Sequence, residues 1–440
     1  MHYSCNETIA GYYLHHPWNA MPQHPRAELA DRLYPFNENE KRNHMEQQGV
    51  LITGGGPVGL SAAWLLAESG VPVTVLEKAA EVQKDYRAST FHAATLDLFE
   101  GTGITEALVG MGLQCPITQF RGWKEGKVAE FDHALLKNDT RHPYRLQCEQ
   151  YKLSEHLFAA LGKHPNATLL YQHEVTGITD KGDRVEVTAQ SPGGERRFSL
   201  RYVIAADGGR STVRHQLGIP FEGKTYPDRI LVMGTPFDFK TIFPDLREVN
   251  YISDPGNYAH ILRIPDLWRM SLPLTDDTPD EVALTDAYIY GRMQKLMPSI
   301  GTPPLPVRGV YTAHQRVATT YRKGRIFLAG DAAHLNNPKG GMGLNGGMQD
   351  AFSIARRMGR VLKGETGESE LDGYEAERRP EARDAILMQT DQNVTNLKAD
   401  ETAREALFAE YRRKAADPEL ARQFLLQSSM IASLRRCAMI

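Results

Sequence analysis

Four glycine- and acid-bearing segments of this 440-residue chain carry residue types that could do chemistry. The first is Gly54-x-Gly56-x-x-Gly59. At that spacing one glycine permits a tight turn, the next lets backbone approach a pyrophosphate, and the third lets a helix pack closely on a strand. The free N–H groups and roughly half a positive charge at a helix N-terminus suit phosphate oxygens. Glu77 stands downstream, where a carboxylate can accept hydrogen bonds from ribose hydroxyls. The second and third segments are Asp207-Gly208 and Gly330-Asp331, each following a short apolar run. The fourth, Gly341-x-Gly343-x-x-Gly346, repeats the glycine spacing of the first.

These residues need elements to hold them. Val50 to Thr53 is a β-run of the buried parallel type. Val58 to Ser69 reads as a helix, with Pro57 in its first turn and Gly70 just past its end. Val71 to Leu76 is a second strand, ending at Glu77. A lone glycine pattern is weak in a chain with 38 glycines. Strand, helix, strand and terminal acid together describe a dinucleotide-binding βαβ unit.

The second match lacks that setting. The strand before it ends near Ala329, and Glu365 falls in a turn. Its backbone N–H groups, leading into a helix from about Met348, could instead stabilise negative charge. One fingerprint admits either NAD or FAD. Asp331 beside a long glycine loop favours FAD, whose ribityl chain NAD lacks.

Elsewhere, Arg201 to Ala206 and Arg325 to Ala329 read as strands, and Ser211 caps a short helix that stops near Gly218. Residues 226–275 alternate short β-type runs with turns, as an antiparallel sheet does. Ala351, Ile354, Ala355, Met358 and Leu362 recur at helical spacing, and the chain is helical and highly charged from Leu371. The expected fold class is α/β: a Rossmann-type FAD-binding domain, a second, mainly antiparallel β-sheet substrate domain, and C-terminal helices. The expected boundaries are an irregular extension over 1–44, a discontinuous FAD-binding domain over 45–225 plus 310–362, the β domain over 226–309, and helices over 363–440.

Composition excludes several classes. Lys+Arg number 51 against 54 Asp+Glu, which removes the electrostatic reason to expect a nucleic acid or an anionic membrane. The longest apolar run, Val50 to Ala67, is interrupted by glycines and a proline, so no membrane span is expected. The first twenty residues do not read as a signal peptide. Cys5, Cys115, Cys148 and Cys437 are scattered without a C-x-x-C, which fits reduced thiols in the cytoplasm. His15 and His16 lack ligand spacing, and no metal is expected.

Three blocks resemble a known family: GGGPVGL with Glu77, AADGGRSTVR at 205–214, and GRIFLAGDAAHLNNPKGGMGLNGGMQDA at 324–351. They look like the single-component FAD-dependent aromatic hydroxylases of the p-hydroxybenzoate hydroxylase type, the group A flavoprotein monooxygenases. Arg87-Ala88-Ser89-Thr90 and Gln150 add to the likeness, which spans roughly residues 46–390. NNPKGGMGLNGG is most similar to the hydroxyphenylpropionate hydroxylase-like branch. Some of that branch carry an extra C-terminal domain; none is expected in the residues after Thr390, which read as helices.

The resemblance implies roles residue by residue. Gly54, Gly56, Gly59 and Glu77 would hold the ADP half of FAD, and Arg87 would lie near the pyrophosphate and the nicotinamide path. Gln150 would contact the flavin side, Asp207 would serve both FAD and NAD(P)H, and Asp331 would bind the ribityl chain. Pro338, Gly340, Gly341, Gly343, Leu344 and Asn345 would flank the isoalloxazine.

The implied reaction uses NAD(P)H and O2 to hydroxylate a phenolic or related small aromatic through a flavin C4a-hydroperoxide, in a site that excludes water. A phenol reacts better as phenolate, so a proton relay is expected. Tyr226, Tyr251, Tyr258, His92, His260 and His314 are its candidates, though each could equally be a satisfied structural group. Trp268-Arg269 could bind an acidic aromatic, but a scaffold strand pair is the preferred reading. A homodimer is one assembly considered, and the sequence leaves the oligomeric state open. The alternatives are a flavoprotein with another reaction (epoxidase, halogenase or reductase) and a non-catalytic FAD-binding protein. The chain has no W-x-W-x-I-P halogenase signature.

Overall fold

The computed structural model describes residues 49–437 and 439, apart from 85, 87, 275–276, 387–390, 393–394 and 397–399. Arg87, Cys5 and the 1–44 extension lie outside the described residues.

The strand Val50–Thr53 is buried along its whole length. It is apolar throughout rather than alternating, because both of its faces are covered. It pairs in parallel with Tyr202–Ala205 on one side and Val73–Glu77 on the other. The full sheet runs Arg322–Lys323, Ile326–Leu328, Tyr202–Ala205, Val50–Thr53, Val73–Glu77, Ala167–Tyr171. Only the first pair is antiparallel. The helix Pro57–Glu68 makes the crossover, with Pro57 at its first position and Ala62 and Ala63 buried.

A second sheet has eight strands, in the order His334–Leu335, Val307–Ala318, Phe221–Thr235, Trp268–Leu274, Ala259–Arg263, Val249–Ile252, Ile117–Gly122, Gly126–Asp132. All neighbours are antiparallel except Val249–Ile252 with Ile117–Gly122. The stretch 226–309 forms its centre, and strands from 117–132 and 307–335 complete its margins. The hairpin over 117–132 covers what would otherwise be a bare edge at Val249–Ile252. Pairing between segments so far apart leaves no local sequence pattern.

The helix Met342–Leu362 starts earlier than the expected Met348. Gly343, Gly346 and Gly347 argue against helix by propensity alone. Packing reverses that preference: a Cβ on Gly347 would lie 2.7 Å from Val58 Cγ2 and 3.1 Å from Gly330 Cα. Only glycine lets this helix reach the first βαβ unit.

Three further helices, Glu401–Ala416, Pro418–Ser428 and Ile431–Arg436, complete the chain's C-terminal part. Asp400 and Asp417 cap the first two by accepting backbone N–H groups. Tyr411 and Phe424 carry them onto Phe120 and Phe131 of the large sheet. Burying a side chain such as Phe131 stabilises by about 2–3 kcal/mol. Among the described residues no helix is long and apolar enough to cross a membrane.

Candidate active site

The first glycine turn divides its labour by sterics. Gly54 has φ +103°, and a Cβ there would sit 2.2 Å from the Ala206 carbonyl oxygen. A Cβ on Gly59 would sit 2.1 Å from the Gly54 carbonyl oxygen. At Gly56 it would meet nothing within 4 Å. Two glycines thus let backbones touch, and the third leaves a phosphate-sized approach open. Glu77 accepts hydrogen bonds from Gly55 N–H (2.7 Å) and Ala79 N–H (2.8 Å), which fixes its carboxylate beside the turn.

A cleft of 420 Å³ opens there, and both large sheets line it. Gly56, Glu77, Gln150, Asp331, Pro338, Gly340, Gly341, Gly343 and Leu344 all border it. The two glycine segments and Gly330-Asp331, distant in sequence, therefore share one space. Asp331 is exposed within it. Helix Met342–Leu362 carries no acidic residue in its first turn, so its N-terminal partial charge faces the loop unopposed.

Four expected residues, Gly54, Gly59, Asp207 and Asn345, do not line the cleft. Gly54 and Gly59 set the turn from behind. Asp207 accepts from Val213 N–H at 3.2 Å and abuts Gly54, while its neighbours Ala206 and Gly208 line the cleft. Burial raises the Asp207 carboxyl above its ordinary value.

Asn345 is fully buried and clamps the loop from inside. Its Nδ2 donates to Thr90 O (2.8 Å) and Gly341 O (2.6 Å). Its Oδ1 accepts from His92 N–H (2.8 Å) and Thr95 Oγ1–H (2.7 Å). His92 Nε2 lies 2.8 Å from Gly340 O and so donates to it. Burial, then the Arg145 charge, push His92 down to about 3. It is a neutral loop anchor.

Below the loop lies a buried ionic triad of His334 and Asp350, both inside the 324–351 block, with Arg378, which no quoted motif marks. Asp350 Oδ2 is 2.8 Å from His334 Nε2 and accepts from Gly330 N–H at 3.0 Å. Asp350 Oδ1 accepts from Arg378 Nε at 2.9 Å. All three side chains are fully enclosed. Burial works against the charged form of His334, but the Asp350 charge and hydrogen bond outweigh it and hold His334 above its ordinary value. Burial likewise opposes the Asp350 carboxylate, and His334 and Arg378 pull it below its ordinary value.

Of the six relay candidates, Tyr251, His260 and His314 border the cleft. Tyr226, Tyr258 and His92 do not line it. The Tyr226 hydroxyl meets Gln315 and Asp391, and burial, then the hydrogen bond to Asp391 and its charge, hold it well above the usual tyrosine range. Tyr258 stacks beneath Lys339 Nζ, 3.6 Å from the ring centroid. His314 Nδ1 is 3.0 Å from Thr225 Oγ1. His260 meets the Tyr251 ring edge-on, and its Nε2 has no hydrogen-bond partner. Burial, then the charges of Lys339, Arg269 and Arg145, push His260 down to about 3.

The pair Trp268-Arg269 splits across its strand, because successive side chains point to opposite faces. Trp268 packs on Phe239, as the scaffold reading expects. Arg269 instead borders the cleft and donates to Ser89 Oγ at 3.0 Å. Lys339 sits within the NNPKGG segment, so its place near the cleft had a signal. Arg145, on the short strand Arg145–Gln147, had none, because what it meets is Tyr251 on a remote strand. Away from the cleft, Asp97, Glu100 and His142 bring potential metal-ligand atoms together. Arg141 already pairs with Glu100 at 2.9 Å and donates its N–H to Asp97.

Residues 47–389 match the family described as FAD binding domain. The chain belongs to that family. A para-nitrophenol 4-monooxygenase of Pseudomonas sp. (strain WBC-3) is 32% identical over 391 residues, 86% of this chain and 94% of that protein. A 3-(3-hydroxy-phenyl)propionate/3-hydroxycinnamic acid hydroxylase of Mycolicibacterium smegmatis is 31% identical over 78% of this chain and 60% of its own length. Among solved structures, the p-nitrophenol 4-monooxygenase PnpA from Pseudomonas putida DLL-E4 superposes with a TM-score of 0.81 at 31% identity, covering 86% of this chain and 96% of that one. This member of the FAD-binding family is an FAD-dependent aromatic monooxygenase. The open approach at Gly56, the fixed Glu77 and the exposed Asp331 fit that cofactor.

Proposed function

We propose that this flavoprotein hydroxylates a small phenolic or related aromatic compound, with NAD(P)H as reductant and O2 as oxidant. Gly54, Gly56, Gly59 and Glu77 hold the ADP half of FAD. Arg87 serves the pyrophosphate and the nicotinamide path. Asp331 binds the ribityl chain, and Pro338, Gly340, Gly341, Gly343, Leu344 and Asn345 form the loop that flanks the ring. Gln150 contacts the flavin side, and Asp207 supports both nucleotides. The strands around 226–309 form the substrate side, and the buried thiols Cys115 and Cys148 suit the cytoplasm.

When bound, FAD supplies two-electron transfer and the activation of oxygen. The protein's share is binding, orientation and electrostatics. The N-terminus of helix Met342–Leu362 offers backbone N–H groups to negative charge on the ring. The large sheet and the C-terminal helices wall the small cavity beside the cleft with Phe120, Tyr251, Tyr411 and Phe424, which keeps that side apolar. Of the cleft-lining candidates, His260 has an open Nε2 toward which a phenol proton can move. Burial is the first cause of its low proton affinity, and the charges of Lys339, Arg269 and Arg145 add to it; an anion bound beside it offsets only the charges. Tyr251 meets it edge-on.

The observation that carries this reading is the meeting of Asp331 and the Pro338–Asn345 loop with the Gly54–Gly59 turn in one cleft. The test is NAD(P)H consumption by FAD-loaded protein across a panel of phenols under ¹⁸O2, with products identified by mass spectrometry. One ring-hydroxylated product carrying a single ¹⁸O atom is the expected result. If consumed NAD(P)H yields only hydrogen peroxide with every phenol, the proposal fails.

A further inference from the structure

Arg145 is a cation awaiting a partner. Its side chain is 3% exposed. Its Nη1 donates to the Tyr251 hydroxyl at 2.7 Å, and its guanidinium lies 5.6 Å from that ring's centroid. Its Nε is buried with no hydrogen-bond partner. Among the described residues no carboxylate forms an ion pair with it. A buried guanidinium with an unfilled donor is costly, and an anion in the right place removes that cost.

The space it faces has a defined size and lining. A second cavity of 40 Å³ is walled by Phe120, Arg145, Tyr251, Lys339, Tyr411 and Phe424. Tyr251 and Gly340 border both this cavity and the main cleft, so the two spaces adjoin across these residues. By the room one water needs, it accommodates about three waters, the bulk of a carboxylate or nitro group. Its walls are aromatic: the Phe120 and Tyr411 centroids are 4.2 Å apart, and those of Phe120 and Tyr251 are 5.5 Å apart. Lys339 and Arg269 add positive potential, registered at His260 together with that of Arg145.

We propose that Arg145 receives a planar oxyanion borne on the substrate's ring, in the pocket closed by Tyr411 and Phe424, and thereby makes this enzyme selective for anionic phenols. This rests on the hydroxylase reading above and narrows it. The shared chemistry is a pair of coplanar oxygens bearing negative charge, which a guanidinium matches with two parallel hydrogen bonds. A ring carboxylate supplies it, and so does a nitrophenolate, whose charge spreads onto the nitro oxygens.

The experiment measures ligand dissociation constants by perturbation of the flavin spectrum in FAD-loaded protein without NAD(P)H. The probes are 4-hydroxybenzoate against the neutral 4-hydroxybenzamide, and 4-nitrophenol against 4-methylphenol at a pH where only the nitrophenol ionises. Wild type is expected to favour at least one anionic member of these pairs by tenfold or more, and the favoured pair identifies the oxyanion. Arg145→Met should abolish the preference while keeping bound FAD and affinity for the neutral ligands, and Arg145→Lys should restore part of it. Equal binding within both pairs in wild type overturns the inference without needing any variant. So does a preference that survives Arg145→Met. Hydroxylation of the neutral phenols with undiminished affinity would sink the oxyanion selectivity and leave the hydroxylase reading standing.

Discussion

The two segments with G-x-G-x-x-G spacing reach the same cleft by different physics. In the first, glycines at 54 and 59 exist because backbone carbonyl oxygens of Ala206 and Gly54 occupy the space a Cβ would need. That loop is shaped by sterics and one carboxylate, Glu77. In the second, Gly347 serves close packing on Val58 and Gly330, but the loop itself is held by polar clamps. Asn345 and His92 grip Gly340 and Gly341, and Asp350 anchors the Gly330 amide from below. Identical spacing therefore says little about role. The elements flanking the glycines, and the atoms packed against them, decide it.

This contrast can be broken by measurement. The largest loss of bound flavin is expected at Gly59→Ala, whose methyl would overlap the Gly54 carbonyl oxygen. Overpacking commonly costs about 1–3 kcal/mol and more where backbone must move. Calorimetry and flavin content should show loss of stable FAD-loaded protein. Gly59→Ala protein with wild-type stability and full flavin would end the steric account of the first loop.

The second loop should instead be sensitive to acid. His92 is neutral in the folded protein with its pKa pushed down to about 3, against an ordinary value of 6.5. Between those values the unfolded chain binds the proton and the folded chain does not, so stability falls as pH drops from 6.5 toward 3. The full loss is on the order of 5 kcal/mol for this one group. Urea unfolding across that range should give a shallower pH slope for His92→Gln than for wild type. Matching slopes would show that His92 is not the neutral anchor described.

Asp350→Asn should cost about 3–5 kcal/mol, since it leaves Arg378 and His334 buried without their carboxylate. The triad also carries a signed dependence on alkali. His334 is held above its ordinary value, so the stability it lends is complete below pH 6.5 and lost as pH rises through the folded value. The decline should vanish in Asp350→Asn. A decline of the same size in both proteins would separate the triad from the loop.

The smallest stability change is expected at Gly56→Ala, within about 0.5 kcal/mol, because nothing lies within 4 Å of the added methyl. FAD affinity should nonetheless fall, measured by equilibrium release of flavin. Unchanged affinity would mean that the open approach at Gly56 is not where the pyrophosphate passes.

Much of the fold and the cleft is legible in the residues alone, and the reasons are local. Val50–Thr53, the helix after Pro57 and the strand ending at Glu77 carry periodicity and punctuation that act over a few residues. The true start of helix Met342–Leu362 is hidden, because glycines count against helix until Val58 is placed beside them. The strands over 117–132 are invisible as members of the large sheet, because their partner, Val249–Ile252, is far along the chain.

The sequence by itself determined the dinucleotide turn, its acid, the Gly-Asp element and the family they mark, since each depends on backbone requirements that few residue types meet. Only the tertiary structure decided which histidines are anchors, which border the cleft, and that Arg145 lines the small cavity beside it. Those roles depend on burial and on charges that meet across sheets. Desolvation and Coulomb interaction depend on distance in space, and distance in sequence does not report it.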